Sequence, residues 1–257
     1  MMNWKQLISA KRFGMEEFHE ERQENRSEFQ RDYDRLIFSA PFRRLQNKTQ
    51  VFPLPGSVFV HNRLTHSLEV ASVGRSLGDD VAKALLERHP ELQDSFLPEI
   101  GSIVSAACLA HDLGNPPFGH SGEKAISTFF SEGKGVRLKE KQPNGEQLSP
   151  MEWEDLTHFE GNANAFRILT HQFEGRRKGG FVLTYTTLAS IVKYPFSSSL
   201  AGTKSKFGFF VSEEESFQKI ATELGLTLLN EHPLKYARHP LVYLVEAADD
   251  ICYQMKI

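Results

Sequence analysis

The sequence contains little cysteine and no long apolar run. Its two cysteines, Cys108 and Cys252, each lie in an apolar, helix-like stretch. We expect two buried free thiols rather than a disulfide or a cysteine nucleophile, because such thiols pack as small apolar side chains. No stretch approaches the length of a membrane span, and residues 1–6 lack the apolar region of a signal peptide. Together these absences predict a reducing, cytoplasmic location and no contact with a membrane.

A strong charge of either sign is missing as well. The 30 basic and 33 acidic residues give a formal net charge of −3, which does not indicate a nucleic-acid-binding chain but is compatible with a local basic pocket. The sequence shows no internal repeat and no alternating strand pattern longer than a few residues. A hydrophobic content of 40% over 257 residues is sufficient for one sizeable core.

Helical spacing of apolar residues dominates instead. Leu64, Leu68, Ala71 and Leu77 follow this spacing and predict a helix over 62–86. We therefore predict an all-α fold with short irregular or hairpin pieces around 50–60 and 200–212. Other helices are predicted at 99–113, 213–229 and 241–257, and one more leads from the string 158–165 to about residue 173.

The charged residues are concentrated at the beginning of the chain. Residues 1–34 are strongly charged, with Phe13, Phe18, Phe29 and Tyr33 spaced through the charge. We expect this segment to be a solvated arm or helix, or a subunit contact. The first apolar core segment begins near Leu36, so we assign residues 35–257 to one domain.

The most informative stretch is an apolar run, 103–110, that ends in the pair His111 and Asp112. An imidazole nitrogen and a carboxylate oxygen at the wet end of a buried helix can bind the same divalent cation. His66 lies on the helix predicted at 62–86, and Asp249 lies at the border of the last apolar stripe. A lone helical histidine is more often a core or surface residue than a ligand. Two imidazoles and two carboxylates, however, form a mixed set that suits Mn²⁺, Fe²⁺, Co²⁺, Ni²⁺ or Mg²⁺.

This order of residues resembles that of the HD-domain metal-dependent phosphohydrolases. Within that group the chain is similar to the deoxyguanosine-triphosphate triphosphohydrolase branch. The resemblance depends on strings that occur in the family's order over most of the chain. These strings are residues 42–52, 62–70, 111–123, 159–163, 193–195 and 246–251.

The resemblance implies an HD-domain helical bundle that hydrolyses deoxynucleoside triphosphates (dNTPs), with dGTP favoured. Water would attack the α-phosphorus and release the deoxynucleoside and inorganic triphosphate. The implied metal ligands are His66, His111, Asp112 and Asp249, with Asp249 preferred over Asp250 on helical phase. The implied substrate-binding residues are Arg43, Gln46, Arg63, Lys193, Tyr194 and Tyr253.

His120 and Glu123 are the candidates for proton transfer. They are spaced i and i+3 at the start of a helix, where a carboxylate can orient an imidazole. The sequence leaves open whether His120 activates the water or protonates the leaving oxygen. His158 matches a further active-site histidine of the family, although a structural role is equally compatible with its position.

Several alternatives and associations stay open. An HD-type nucleotidase or phosphodiesterase and a non-catalytic dNTP-sensing module are the competing functions. Family members form homo-oligomers, often hexamers, and some bind an allosteric dNTP or single-stranded DNA. Similar chains continue well beyond the last metal ligand and often have a carboxylate where Ile257 stands here. We therefore expect this chain to be truncated at its C-terminus.

Overall fold

The computed structural model describes residues 2–17, 26–49, 62–140, 146–175, 178–202 and 205–254. These residues form a predominantly α-helical structure with one small antiparallel sheet. The helices are α1 (Trp4–Leu7), α2 (Glu28–Ile37), α3 (Ala40–Arg44), α4 (Arg63–Arg88), α5 (Ile100–Ala110), α6 (His120–Ser131), α7 (Pro150–Thr157), α8 (Gly161–Thr170), α9 (Tyr185–Ile191), α10 (Glu214–Glu223) and α11 (Val242–Gln254). The strands are β1 (Leu228–Asn230) and β2 (Lys235–Tyr236). The predicted all-α class is confirmed in its main feature, since the structure is predominantly helical.

Helix α5 is the centre of the fold. Every residue from Ile100 to Ala110 is buried, as expected for a helix that is apolar on all sides. Helices α2, α4, α9 and α11 pack around it. The polar pair His111 and Asp112 follows directly after α5 and is thereby fixed deep in the molecule, between α4 and α11.

Helix α4 begins at the place where the sequence supplies its cap. The Asn62 side chain accepts a hydrogen bond from the Thr65 backbone, and the Thr65 hydroxyl donates back to the Asn62 carbonyl. Such a capping interaction fixes the first turn of a helix. It therefore also fixes Arg63 and His66, the two site candidates of this turn.

The prediction of one helix over 213–229 is wrong. Helix α10 ends at Glu223, because Gly225 adopts a φ of +65° and the Leu226 amide bonds back to the Ala221 carbonyl. This is the usual way in which a glycine terminates a helix. The chain then forms the pair β1–β2, so the hairpin lies at 228–236. In the described part of 200–212 the structure shows irregular backbone and short 3₁₀ turns, and the expected piece at 50–60 lies outside the described residues.

The described part of the N-terminal segment, residues 2–17 and 26–34, is not the solvated arm that its charge predicts. Leu7, Ile8 and Phe29 are buried members of the main core. Arg12 is also buried and donates hydrogen bonds to the Asp32 carboxylate and to the Val182 carbonyl. Burial of a charged pair requires such complete bonding, and this pair attaches the segment to the chain just before α9.

Two further expectations concern sulfur and membranes. Cys108 and Cys252 are both buried thiols that form no disulfide, as predicted. None of the helices in the described part of the chain has both the length and the apolar content that a bilayer crossing requires.

Candidate active site

Three side chains with metal-binding atoms meet at the end of α5. One nitrogen each of His66 and His111 and one carboxylate oxygen of Asp112 lie within 4.8 Å of one another. His66 comes from α4, whereas His111 and Asp112 follow α5. A mixed nitrogen and oxygen set of this kind could hold a divalent metal ion.

The hydrogen bonding of His111 supports this interpretation. Its Nδ1 lies 2.6 Å from the Cys108 carbonyl oxygen, which can only accept, so Nδ1 carries the proton. When the ring is neutral, Nε2 therefore carries the lone pair. This Nε2 is buried and has no hydrogen-bond partner among the described residues. A buried, unpartnered lone pair is costly unless a ligand uses it, so the ring fits a metal ion.

Asp112 is held in its ionised form. Arg63 donates to Oδ2 at 2.7 Å, and the Asn115 amide donates to Oδ1 at 2.5 Å. Burial acts to raise the pKa of Asp112, but the neighbouring His111 and the Arg63 guanidinium lower this pKa overall. The carboxylate is thus available as an anionic ligand at neutral pH.

Asp249 approaches the same cluster from α11. Its Oδ1 lies 2.9 Å from His66 Nε2 and 3.7 Å from His111 Nε2. Partial burial acts to raise the pKa of Asp249, and the His66 hydrogen bond and nearby positive charges lower it overall. Asp250 is exposed and borders the neighbouring cavity. The contact with both histidines supports Asp249 as the fourth ligand, which stays a prediction.

A cavity of about 510 Å³ opens above this cluster. Lys193 lies on its wall and forms a 2.8 Å ion pair with Glu246 on α11. Burial acts to lower the pKa of Lys193, but its bond to Glu246 raises this pKa overall, so the side chain is a cation at neutral pH. The other substrate-binding candidates on the wall are Arg63, Tyr194 and Tyr253.

The pair His120 and Glu123 lies at the rim of the cavity. His120 Nδ1 is 2.7 Å from Glu123 Oε2, and Glu123 Oε1 accepts the Gly161 backbone N–H at 2.8 Å. A Cβ at position 161 would come within 2.9 Å of Glu123 Oε1 and 2.2 Å of the Asn115 amide oxygen, so only glycine allows this approach. The His120 side chain is 86% exposed, which leaves the far side of its ring free to meet a substrate.

Three candidates lie outside both the metal-binding cluster and the lining of the cavity. Arg43 on α3 and Gln46 in the following 3₁₀ turn are exposed. His158 caps the C-terminus of α7, and its Nδ1 lies 3.1 Å from a Glu154 carboxylate oxygen. Their proposed roles in binding or catalysis stay predictions.

Sequence reasoning missed three charged residues that line the cavity, namely Glu160, Lys206 and Glu246. Glu160 and Glu246 lie within strings that carried the family resemblance, so position in a motif was an available signal. Lys206 lies in a loop rich in serine and glycine, where its spacing to other residues carries no information.

Several known proteins are similar to this chain in sequence. A family model described as HD domain matches residues 63–179. The chain is 45% identical over 263 residues to a deoxyguanosinetriphosphate triphosphohydrolase-like protein of Synechocystis sp., with 99% of this chain and 58% of the relative covered. It is 47% identical over 260 residues to a protein of the same description in Pseudomonas aeruginosa, with 98% and 55% covered.

A third relative, of Yersinia enterocolitica, is called deoxyguanosinetriphosphate triphosphohydrolase without the suffix. It is 37% identical over 286 residues, with 98% of this chain and 53% of the relative covered. The chain thus spans a little over half the length of the curated relatives that it matches. Its residues 63–179 match the HD domain, and over nearly its whole length the chain is similar to proteins described as deoxyguanosinetriphosphate triphosphohydrolase or triphosphohydrolase-like.

Proposed function

We propose that the chain hydrolyses dNTPs, with dGTP favoured, to the deoxynucleoside and inorganic triphosphate. The observation that carries this proposal is the cluster of His66, His111 and Asp112, of which His111 and Asp112 line a cavity that also has cationic side chains on its wall. A divalent ion bound there would lower the pKa of a coordinated water and neutralise charge that develops on phosphate. Mn²⁺, Mg²⁺, Fe²⁺, Co²⁺ and Ni²⁺ all suit this donor set.

Arg63 is the residue that we assign to the α-phosphate. Arg63 is 9% exposed and its guanidinium donates to Asp112, while its Nε is buried and lacks a hydrogen-bond partner among the described residues. An N–H group of this kind can donate to a phosphate oxygen without giving up an existing bond. Arginine also matches the geometry of phosphate better than lysine does.

The outer phosphates would meet the cations on the cavity wall. A triphosphate carries about four negative charges, so it requires several positive or polar donors. Lys193 is one donor, and its ammonium group forms an ion pair with Glu246 in this structure. Tyr194 and Tyr253 line the same wall and offer hydroxyl groups for the sugar or the phosphates.

We assign proton transfer to His120. Glu123 accepts from its Nδ1, and a carboxylate in this position orients the ring and stabilises its protonated form. The exposed Nε2 can then take a proton from the attacking water or give one to the 5′ oxygen that leaves the α-phosphorus. The geometry is compatible with either direction.

Product analysis with labelled water tests the proposal. Each of the four dNTPs is incubated with the chain and Mn²⁺ or Mg²⁺ in H₂¹⁸O, and the products are separated. Attack at the α-phosphorus breaks the bond from phosphorus to the 5′ oxygen. The label should therefore appear in triphosphate, and the deoxynucleoside should remain unlabelled. Turnover across the four substrates also measures the preference for dGTP.

Other product patterns identify the alternatives. A monophosphate with pyrophosphate, or stepwise loss of phosphate, would indicate an HD-type nucleotidase or phosphodiesterase. Binding of metal and dNTP without turnover would indicate a sensing module. The variant His120→Ala should lose about 10²–10⁴-fold in turnover and still bind metal, and unchanged triphosphate release would remove His120 from the mechanism.

Assembly, regulation and location are separate parts of the proposal. A homo-oligomer, with a hexamer as the form expected from the family resemblance, is tested by light scattering. An allosteric dNTP would produce sigmoidal kinetics, and single-stranded DNA would be detected by a gel-shift titration. The reducing, cytoplasmic location rests on the two buried thiols that form no disulfide.

A further inference from the structure

Glu160 is a buried carboxylate that accepts hydrogen bonds from backbone amides, from a side-chain amide and from a lysine ammonium group. It is 1% exposed and caps the N-terminus of α8, where Oε2 accepts the backbone N–H groups of Asn162 and Ala163 at 2.5 and 3.3 Å. Oε1 accepts the Asn162 side-chain amide at 2.8 Å and the Lys206 ammonium at 2.7 Å. A carboxylate held in this way cannot move, because each alternative position would leave buried N–H groups without a partner.

Lys206 lies between this carboxylate and the proton-transfer pair. Its Nζ is 2.7 Å from Glu160 Oε1 and 3.9 Å from Glu123 Oε2. Partial burial acts to lower the pKa of Lys206, but the hydrogen bond to Glu160 raises it overall. The side chain is therefore a cation at neutral pH, and it lies close to two carboxylates that could both bind it.

The Glu123 oxygen that lies closest to Lys206, Oε2, is also the hydrogen-bond partner of His120. Glu123 Oε2 is 2.7 Å from His120 Nδ1, whereas Oε1 is occupied by the Gly161 N–H. A direct bond from Lys206 to Glu123 Oε2 would place a second, cationic donor on this oxygen and so weaken the bond that orients the imidazole. A movement of little more than 1 Å by a flexible ammonium group would be enough to form it.

We infer that Glu160 is a positioning residue that holds Lys206 away from Glu123 and so keeps Glu123 Oε2 for His120. The inference rests on the proposed function, because it assigns His120 to proton transfer. The arrangement matters because the carboxylates of Glu160 and Glu123 compete for the Lys206 ammonium group. Glu160 is fixed by backbone donors and binds the ammonium at full hydrogen-bond strength, so Glu123 keeps its histidine.

A pair of variants distinguishes this role from simple helix capping. Glu160→Gln keeps an oxygen that can accept from the α8 amides but loses the charge that holds Lys206. With dGTP and Mn²⁺, we expect kcat to fall at least about tenfold, the loss typical for an outer partner of a site residue, with a smaller change in KM. The double variant Glu160→Gln, Lys206→Met should have a higher kcat than Glu160→Gln alone, since the competitor for Glu123 is gone.

The control is Lys124, an exposed lysine close to His120 and Glu123. Combined with Glu160→Gln, the change Lys124→Met should not raise kcat. If the double variant with Lys206→Met is no faster than Glu160→Gln, Lys206 is not the competitor and the inference is wrong. A purely structural role of Glu160 would lower the melting temperature and would not be relieved by removal of Lys206.

A crystal structure of Glu160→Gln provides a readout that needs no turnover. We expect Lys206 Nζ within about 3 Å of Glu123 Oε2, a hydrogen-bond distance, with the His120 ring displaced. Lys206 in its original place with His120 unmoved would overturn the inference. Failure of the wild type to release triphosphate would refute the proposed function alone, because this structural comparison is made without substrate.

Discussion

Metal binding at the cluster of His66, His111 and Asp112 should stabilise the fold by a measurable amount. A ligand present at a hundred times its dissociation constant stabilises the native state by about 2.7 kcal/mol. The entropy of unfolding for 257 residues is about 0.5 kcal/mol/K, from about 2.1 cal/mol/K per residue. We therefore expect such a concentration of Mn²⁺ to raise the melting temperature by about 5 °C.

Two adjacent carboxylates on α11 allow a matched comparison. Asp249 contacts both histidines, whereas Asp250 is exposed. Asp249→Asn keeps the shape of the side chain and removes one anionic ligand. Loss of a residue that only hydrogen-bonds to a metal ligand can already weaken metal binding about a hundredfold, so we assume at least this loss for Asp249→Asn. The same Mn²⁺ concentration then stabilises the fold by only about 0.4 kcal/mol. The melting temperature would then rise by less than about 1 °C.

The assay is differential scanning calorimetry at the same Mn²⁺ concentration, with and without a chelator. The variant Asp250→Asn should retain the full shift of the wild type, which separates loss of a ligand from loss of negative charge near the cavity. If Asp250→Asn loses the shift and Asp249→Asn retains it, the ligand is Asp250. No shift in the wild type at any Mn²⁺ concentration would refute the metal site itself.

Three further predictions concern stability and are read from urea unfolding. Burial lowers the pKa of His239 to about 4, so this histidine binds a proton more readily in the unfolded chain than in the folded one. About 3 kcal/mol of stability should therefore be lost as pH falls from about 6.5 to 4. The variant His239→Gln should lack this loss. Burial raises the pKa of Asp155 to about 6, so this carboxyl binds a proton more readily in the folded chain and the effect of pH on stability has the opposite sign. About 3 kcal/mol of stability should be gained as pH falls from about 6 to 4, and the variant Asp155→Asn should lack this gain. Phe166→Ala, at a fully buried ring, should cost about 3–5 kcal/mol, whereas Phe173→Ala, at a ring that is 47% exposed, should stay within about 0.5 kcal/mol.

The helices that surround the site were predictable because each carries its own periodic signal. The predicted helix over 62–86 corresponds to α4 (Arg63–Arg88), and the one over 241–257 corresponds to α11 (Val242–Gln254), which is described up to residue 254. Both helices pack against the buried α5, and α11 also packs on α4. A local pattern of this kind survives in the fold because burial of the apolar stripe is what stabilises the helix.

The small sheet was not predictable from such a pattern. All three residues of β1 are exposed, so this strand has no alternation of buried and exposed positions. Leu228 and Leu229 instead extended the apolar pattern of α10 in the sequence. The left-handed conformation of Gly225 decides the outcome, since it ends the helix before these leucines are reached.

The meeting of His66 with Asp249 illustrates a different limit. These residues are 183 positions apart in the sequence, yet His66 Nε2 lies 2.9 Å from Asp249 Oδ1 in the structure. Helical phase placed each one on the edge of an apolar stripe, but nothing in the spacing indicates that the two edges face each other. The family resemblance supplied that link, and the packing of α11 on α4 provides its physical basis.

The cations of the cavity explain why overall charge was uninformative about the substrate. Arg63, Lys193 and Lys206 each form an ion pair, with Asp112, Glu246 and Glu160 respectively. Each pair adds nothing to the net charge of −3, yet it places a positive group at the wall of a cavity that can receive an anion. Local pairing of this kind also keeps buried cations charged before a ligand arrives, because each carboxylate compensates the cost of removing its partner from water. A binding site for a polyanion can therefore be built in an acidic chain, and only the three-dimensional arrangement reveals it.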